Sequence, residues 1–169
     1  MRISKMIFAF ALLLALLLTG CGSGANNDES VIASEKTLPA DFYEIAFQRE
    51  TVPHFQYMVR RATDQAEFEE IWDLYGFDDK MPSVDFDGND VFFIGVQESG
   101  SCPYELKSVE RSADNSIMTI PLSKPEGDAD CTSDAAPRTF VIQIDKEISK
   151  DIENVVIVES ETETNVPFE

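Results

Sequence analysis

The chain contains three cysteines and one histidine, the residue types from which thiol catalysis or a zinc site would be built. Cys102 lies in the stretch SGSCPY, and Cys131 follows it by 29 positions. A nucleophilic thiolate needs a nearby base and a third group that orients this base, but His54 is distant in sequence and lies beside a proline. A zinc site usually takes ligands at short spacings such as C-x-x-C, which the chain lacks. The compartment in which the chain resides therefore decides what the two thiols do.

The N-terminus indicates that compartment. Arg2 and Lys5 precede an uncharged apolar run over residues 6–18, after which the chain reads LTGC up to Cys21. This layout is typical of an export signal, and the run is shorter than the about 20 residues of a membrane-spanning helix. LTGC resembles the lipobox of bacterial lipoproteins. The resemblance implies cleavage before Cys21 and a diacylglycerol and palmitate anchor on its sulfur; the alternative is an ordinary secretory signal that ends in cysteine.

An acylated Cys21 would hold the protein on the outer, extracytoplasmic face of the bacterial cell membrane without spanning it. Two acyl chains make such attachment stable, whereas one leaves it reversible. We predict a signal peptide over residues 1–20, followed by a flexible tether over residues 21–37. The sequence GSGANNDES supports the tether because it is small and polar and has no apolar periodicity.

Export leaves two cysteines for pairing. Outside the cytosol, two unmodified cysteines in one small domain form a disulfide by default. Both lie at the edges of predicted loops, so neighbouring strands could bring them within bridging distance. We therefore predict a disulfide between Cys102 and Cys131, with a contribution of about 3–4 kcal/mol to stability from loop closure.

The charge of the chain excludes one class of partner. The formal net charge is −19, and removal of residues 1–20 takes away two basic residues and no acidic one, which gives −21. Nucleic-acid binding depends on Lys and Arg that neutralise phosphates, so no nucleic-acid partner is expected. A basic face that adheres to anionic lipid is excluded in the same way. The simplest interpretation of the acidity is a solvated extracellular surface.

One helix stands out among the predicted elements of the domain. Asp64 and Glu67 have the spacing of a capping box, and Gly76 supplies a stop signal. Between them lies an apolar stripe at helical spacing, formed by Phe68, Ile71, Trp72 and Tyr75. The sequence therefore predicts an amphipathic helix that packs on a core.

The other predicted elements are strands. Alternating or continuous apolar runs indicate strands near residues 42–49, 55–60, 90–96, 104–109, 116–120, 139–145 and 155–158. A turn at residues 113–115 predicts a hairpin. The expected fold is α+β, mainly an antiparallel sheet of six or seven strands in a sandwich or half-open barrel, with one packed helix. We predict a single domain over residues 38–160 and a loose tail over residues 161–169.

Across residues 59–148 the chain resembles the PrcB C-terminal domain family, named after a lipoprotein subunit of a bacterial surface protease complex. The matching pieces are AEFEEIW, PSVDFDGNDVFFIGV, YELKSVE and PRTFVIQIDK. The resemblance implies a small α+β module with a binding or complex-stabilising role and no catalytic residues. The chain differs from the family at SGSCP, where a longer Gly-rich loop is expected, and it lacks the upstream part, so a protease partner is not implied.

Two acidic loops have some of the ligands that calcium prefers. DFDGND, at residues 85–90, fails the EF-hand pattern because Asp90 and Val96 occupy the positions that need Gly and Glu; turn chemistry explains it better. The second loop surrounds Cys131 and could share a hard cation among Asp128, Asp130 and Asp134, with help from Glu126. The alternative for this loop is a solvated acidic surface.

These observations favour binding over catalysis. The motifs GxSxG, HExxH, GxGxxG and the P-loop are absent, and no cofactor beyond the lipid is expected. We predict a membrane-anchored lipoprotein that acts as a binding or complex-stabilising module for another envelope component, with a protein as the expected partner. The predicted contact surface comprises exposed positions that the disulfide would hold rigid, Pro103, Tyr104 and Arg138. The alternatives are a calcium-binding surface protein and an unrecognised extracytoplasmic hydrolase.

Overall fold

A computed structural model describes residues 29–49, 56–125 and 130–167. The predicted signal peptide, Cys21 and the first part of the predicted tether lie outside the described residues. His54, Glu126 and Asp128 also lie outside them. Among the described residues, no helix has the length and apolar composition needed to cross a membrane.

Four antiparallel strands form the first sheet. In chain order they are β1 (Glu29–Glu35), β2 (Tyr57–Ala62), β3 (Asn89–Glu98) and β7 (Ala136–Asp145), and their spatial order is β1-β7-β3-β2. The central strands β3 and β7 pair along ten residues each. We call the end of this sheet at Glu98 the cleft end and the opposite end, at Glu29, the entry end.

The second sheet contains the remaining strands, β4 (Glu105–Leu106), β5 (Glu110–Arg111), β6 (Ile117–Ser123), β8 (Asn154–Glu159) and β9 (Thr162–Val166). Its spatial order is β4-β6-β8-β9, and β5 also pairs with β6. The turn predicted at residues 113–115 joins β5 and β6 into a hairpin, but of the strand predicted at residues 104–109 only β4 is strand. β6 and β8 run parallel, which makes this the mixed sheet of the fold.

The two sheets pack face to face around the main core. Alternate residues of the strands point into it, as period-two patterning requires. From the first sheet come Tyr57, Val59, Phe92, Ile94, Val96, Phe140, Ile142 and Ile144; from the second come Met118, Ile120, Leu122, Val155, Ile157 and Val166. The α+β sandwich predicted from the sequence is confirmed, and the sheets do not close into a barrel.

A helical layer covers the outer face of the first sheet. The predicted helix is α2 (Gln65–Tyr75), and its stripe packs on Val91, Phe93 and Val141. Its ends follow the sequence signals: Asp64 accepts a hydrogen bond from the Glu67 N–H at 2.9 Å, and Gly76 ends the helix in the left-handed conformation with φ 64°. Because helices cover one face and the second sheet the other, β3 is apolar on both of its faces.

The predicted strand at residues 42–49 is wrong, since this segment is helix α1 (Phe42–Gln48). Its β-forming residues suggested a strand, but Phe42 and Ala46 are four positions apart and are the two residues that it buries. The Ala40 N–H donates to the Leu74 carbonyl at 3.1 Å and joins the start of α1 to α2. Burial of one helical face therefore overrides local propensity.

The expected tether and tail both contain strands. β1 lies within the expected tether and pairs with β7, and Ile32 and Ala33 pack against the apolar cluster between α2 and the first sheet. β9 lies within the expected tail and pairs with β8, where it buries Val166. Composition suggested loose chain because GSGANNDES and most of the tail are polar; strand pairing supplies the backbone hydrogen bonds that order both segments. A short helix, α3 (Lys146–Ser149), follows β7.

Candidate functional site

Cys102 and Cys131 form the predicted disulfide, with their Cα atoms 5.5 Å apart. The bond joins the loop that follows β3 to the loop that precedes β7. These loops are neighbours because β3 and β7 pair until Glu98 lies opposite Ala136. Cys102 is buried, whereas Cys131 lies on the surface.

Hydrogen bonds hold the two bridged loops together beyond the disulfide. The Thr132 N–H donates to Ser101 Oγ at 2.9 Å, and the Gly100 N–H donates to Asp134 Oδ1 at 3.1 Å. Hydrogen bonds from the Thr132 hydroxyl and the Gly100 N–H lower the pKa of Asp134. Asp134, predicted as a cation ligand, thus serves as an acceptor that fixes the loops.

A buried carboxylate organises the cleft end of the first sheet. The Glu98 side chain is fully buried, and Arg138 Nε donates to its Oε1 at 2.9 Å. The other oxygen, Oε2, accepts the Tyr104 N–H at 2.7 Å. Burying a charge requires both a counter-charge and hydrogen bonds, and Arg138 and Tyr104 supply them.

This arrangement corrects the predicted contact surface. Tyr104 is only 7 % exposed and the Arg138 side chain only 15 %, because both satisfy Glu98. Pro103 is half-buried. The three residues that were expected to be exposed near the disulfide are therefore mostly or partly buried, and they do not form an exposed contact surface.

A second carboxylate, Glu159 at the end of β8, joins the two sheets. Tyr57 Oη donates to its Oε2 at 2.8 Å, and the Tyr104 hydroxyl donates to its Oε1. Burial raises the pKa of both tyrosines well above its usual value, and the hydrogen bond to Glu159 and the charge of this residue raise it further. Both phenols consequently remain neutral donors, and among the described residues no Lys or Arg forms an ion pair with Glu159.

These side chains surround a cavity of about 280 Å³, which we call the polar cleft. Hydroxyl, carboxylate and ammonium groups converge on it from both sheets and from the bridged loops. Six of its lining residues are Tyr57, Tyr104, Lys124, Thr132, Asp134 and Glu159. A concave site with a few convergent polar groups is the usual form of a binding site.

A cavity of about 360 Å³, the apolar cleft, adjoins the polar cleft. Its lining includes Leu38, Pro39, Phe42, Tyr43, Ala135 and Pro137. Ala135 also lines the polar cleft, and Gln97 Nε2 donates to Tyr43 Oη at 3.4 Å. Tyr43 and Phe47 of α1 are 57 % and 76 % exposed, so a large aromatic surface lies beside this cleft.

A third cavity, of about 380 Å³, lies between β1 and residues 106–109. Glu29 and Val31 line it, and Glu29 forms an ion pair with Arg111 at 3.4 Å that connects the two sheets. Fewer polar groups converge on this cavity than on the polar cleft, so we regard it as the gap between the edges of the two sheets.

A buried charge cluster at the entry end fastens α3 to the first sheet. Asp90 is fully buried; Arg61 Nη2 donates to its Oδ2 at 2.5 Å, and the Ser149 hydroxyl donates to the same oxygen. Lys146 Nζ lies 3.5 Å from its Oδ1. None of the cavities described above is lined by a residue of this cluster.

The acidic loops show no metal site within the described parts of the chain, where no group of three or more His, Cys, Asp or Glu could hold an ion. The turn predicted at DFDGND is confirmed: Asp85 Oδ1 accepts the Asp87 N–H at 3.1 Å, and the Asp85 carbonyl accepts Asn89 Nδ2 at 2.9 Å. Of the three candidate ligands near Cys131, Asp130 and Asp134 are described and exposed.

Glu98 and Glu159 were not predicted as site residues, although the sequence contains a signal for both. Each occupies the next inward position after a run of buried residues at alternate positions of its strand. A carboxylate at a position that faces the core requires a partner. The missing information was which residues would meet them, since their partners come from distant parts of the chain.

The protein is an α+β sandwich with a helical layer and two adjoining clefts at one end. A scan against family models finds no match to the chain, and searches of curated proteins and of solved structures find none either. The resemblance to the PrcB C-terminal domain family therefore stays a prediction.

Proposed function

We propose that the protein is a bacterial lipoprotein, anchored through an acylated Cys21 to the outer face of the cell membrane. In this proposal its cleft end binds another protein of the envelope. The sequence motif LTGC supports the anchor, and the site at the cleft end supports the binding role.

The position of the clefts relative to the start of β1 carries the proposal. Glu29 is the eighth residue after Cys21, and a chain of this length reaches at most about 29 Å. Glu29 pairs with Ile144, whereas Glu98 pairs with Ala136 at the other end of the same sheet. A ten-residue strand such as β3 spans about 33 Å, so an anchor at Cys21 would hold the entry end near the membrane and present the clefts away from it.

The rigidity of the cleft walls supports binding. The disulfide, the Glu98–Arg138 pair and the two phenols on Glu159 fix the walls before any partner arrives. Association costs less free energy when the binding groups are already ordered. A protein that captures a partner gains affinity from such preorganisation.

Replacement of Cys21 tests the anchor. In the native bacterium, the Cys21→Ser variant is expected to lose metabolic labelling by an alkyne-tagged fatty acid and to leave the membrane fraction. The Cys131→Ser variant is the matched control and should keep both. Unchanged labelling and membrane retention of Cys21→Ser would contradict the anchor.

Photo-crosslinking tests the binding end. A photoreactive phenylalanine at position 43, beside the apolar cleft, is expected to crosslink reproducibly to one envelope protein in intact cells. The same probe at position 150, which is exposed after α3 at the entry end, is the control and should not give this product. Equal crosslinking from both positions, or none from position 43, would refute the role of the cleft end.

A further inference from the structure

We propose that the two clefts act as one groove that binds an extended peptide segment of the partner. An apolar side chain of this segment occupies the apolar cleft, and a Lys or Arg side chain lies beside Glu159 in the polar cleft. The inference rests on the proposed function, from which it takes that the partner is a protein. It adds the chemistry of the segment that is recognised.

The two clefts adjoin each other at the end of the first sheet. Ala135 lines both cavities. Gln97 lines the polar cleft and pairs in register with Pro137, which lines the apolar cleft. A ligand that fills both must therefore pass over the ends of β3 and β7. An extended peptide suits this path because its successive side chains point to opposite sides and reach separate pockets.

The apolar cleft provides the anchor for one side chain. Phe42 is fully buried in its wall, and Tyr43 stands at its rim with more than half of its surface exposed. Leu38, Pro39 and Pro137 add further apolar surface, and Lys36 and Thr37 contribute the polar part of the lining. An aliphatic or aromatic side chain that entered would bury its own surface and part of Tyr43, which is the kind of contact that dominates binding energy in interfaces.

The polar cleft contains a carboxylate, Glu159, whose hydrogen-bond partners are neutral phenols. Glu98 is already neutralised by Arg138. Glu159 accepts hydrogen bonds from two phenols, and among the described residues no cation forms an ion pair with it, although Lys124 lines the same cavity. A cationic side chain of the partner complements this charge, and its attraction is stronger in a partly enclosed site than in bulk water.

The total charge favours a basic segment over a second copy of this chain. With a formal net charge of −19, two copies repel each other, whereas a basic segment is attracted from a distance. Charge complementarity thus selects a peptide with Lys or Arg as the occupant of the groove.

A peptide selection tests the inference. The full-length protein, solubilised in mild detergent, is used to select from a phage-displayed library of random heptapeptides. Enriched peptides are expected to combine an aliphatic or aromatic residue with a Lys or Arg. For a synthetic, fluorescently labelled copy of an enriched peptide, replacing its basic residue by Gln is expected to weaken binding about fivefold.

Two variants and one control assign the effect to the groove. In Glu159→Gln, the basic peptide and its Gln analogue should bind with about equal affinity. Tyr43→Ala should weaken the binding of both peptides about tenfold. Glu70→Gln makes the same chemical change on the exposed face of α2 and should alter neither. Raising NaCl from about 0.05 M to about 0.5 M should weaken the basic peptide selectively, a readout that requires no variant.

Several outcomes would overturn the inference. They are a selection without enrichment, enriched peptides without a basic residue, and a basic preference that survives Glu159→Gln or is insensitive to salt. A concentration-dependent dimer that Tyr43→Ala abolishes would assign the groove to a second copy. If any of these occurs while crosslinking from position 43 still identifies one envelope protein, the peptide chemistry falls and the proposed function stands.

Discussion

At the scale of single residues, the two phenols on Glu159 predict an unusual titration. The chain has four tyrosines. Burial is the main cause that raises the pKa of Tyr57 and Tyr104, and the hydrogen bond to Glu159 and its charge are the next causes. In a titration followed by ultraviolet absorbance, we expect these two tyrosines to stay neutral at pH values above the usual tyrosine pKa of about 10. The variants Tyr57→Phe and Tyr104→Phe should each remove one late-titrating group. Four tyrosines that ionise together near 10 would contradict this.

The same shift predicts how stability depends on pH. A group whose pKa is raised on folding holds its proton more tightly in the folded state, so its contribution is fully present below the unfolded pKa. This contribution is lost as pH rises from about 10 through the folded pKa. The free energy of unfolding is therefore expected to fall in this range, and to fall less steeply in Glu159→Gln, where a neutral side chain no longer opposes phenol ionisation.

The buried Glu98–Arg138 pair predicts a double-mutant effect. Replacing Arg138 by Met leaves a fully buried carboxylate without its counter-charge and should cost about 3 kcal/mol in urea unfolding. Adding Glu98→Gln should recover much of this loss, because the neutral amide still accepts the Tyr104 N–H. Lys80→Met, on an exposed residue, is the control and should change stability by less than about 0.5 kcal/mol. Additive losses would show that the pair is not coupled.

At this scale the disulfide could be predicted from the sequence, whereas the partners of the buried carboxylates could not. Cys102 and Cys131 could be paired because only two thiols remained after Cys21 was assigned to the lipid. Glu98 and Glu159 could have been flagged by strand alternation, but their partners could not be predicted. Tyr57 reaches Glu159 from the opposite sheet and Tyr104 from the residue before β4, both at sequence separations that no local pattern encodes.

At the scale of elements, the disulfide joins the loops that flank β3 and β7, and its removal should loosen the cleft end. Replacing Cys102 and Cys131 together by Ala is expected to lower the free energy of unfolding by about 3–4 kcal/mol. Hydrogen exchange should become faster in the bridged loops and change less in the centre of β3. Reduction of the unmodified protein by dithiothreitol should reproduce the loss, and an unchanged urea midpoint would contradict it.

The elements themselves differ in how well the sequence predicts them. α2 carries caps at both ends and one apolar stripe, and β3 is a continuous apolar run, so both could be predicted. α1 could not, because aromatic and β-branched residues occupy a helix that tertiary packing stabilises. β1 and β9 could not be predicted either, because they are edge strands whose order comes from pairing with β7 and β8.

At the scale of the whole molecule, the proposed anchor predicts an orientation. Acylated protein in liposomes that contain a paramagnetic headgroup lipid should show stronger broadening of the backbone NMR signals at Lys150, near the entry end, than at Tyr43, near the clefts. The protein without acyl chains should show neither effect. Equal broadening at the two positions in the anchored protein would refute the orientation.

The parallel neighbours β6 and β8 have a consequence for how the chain folds. Residues 124–153 separate them, and this connection includes β7, a central strand of the other sheet. The second sheet therefore completes its centre only after a long loop has closed, at an entropic cost that must be met before any contact between these strands forms. We expect folding to be one slow cooperative event on the millisecond-to-second scale of non-local β topologies, in which neither sheet persists without the other.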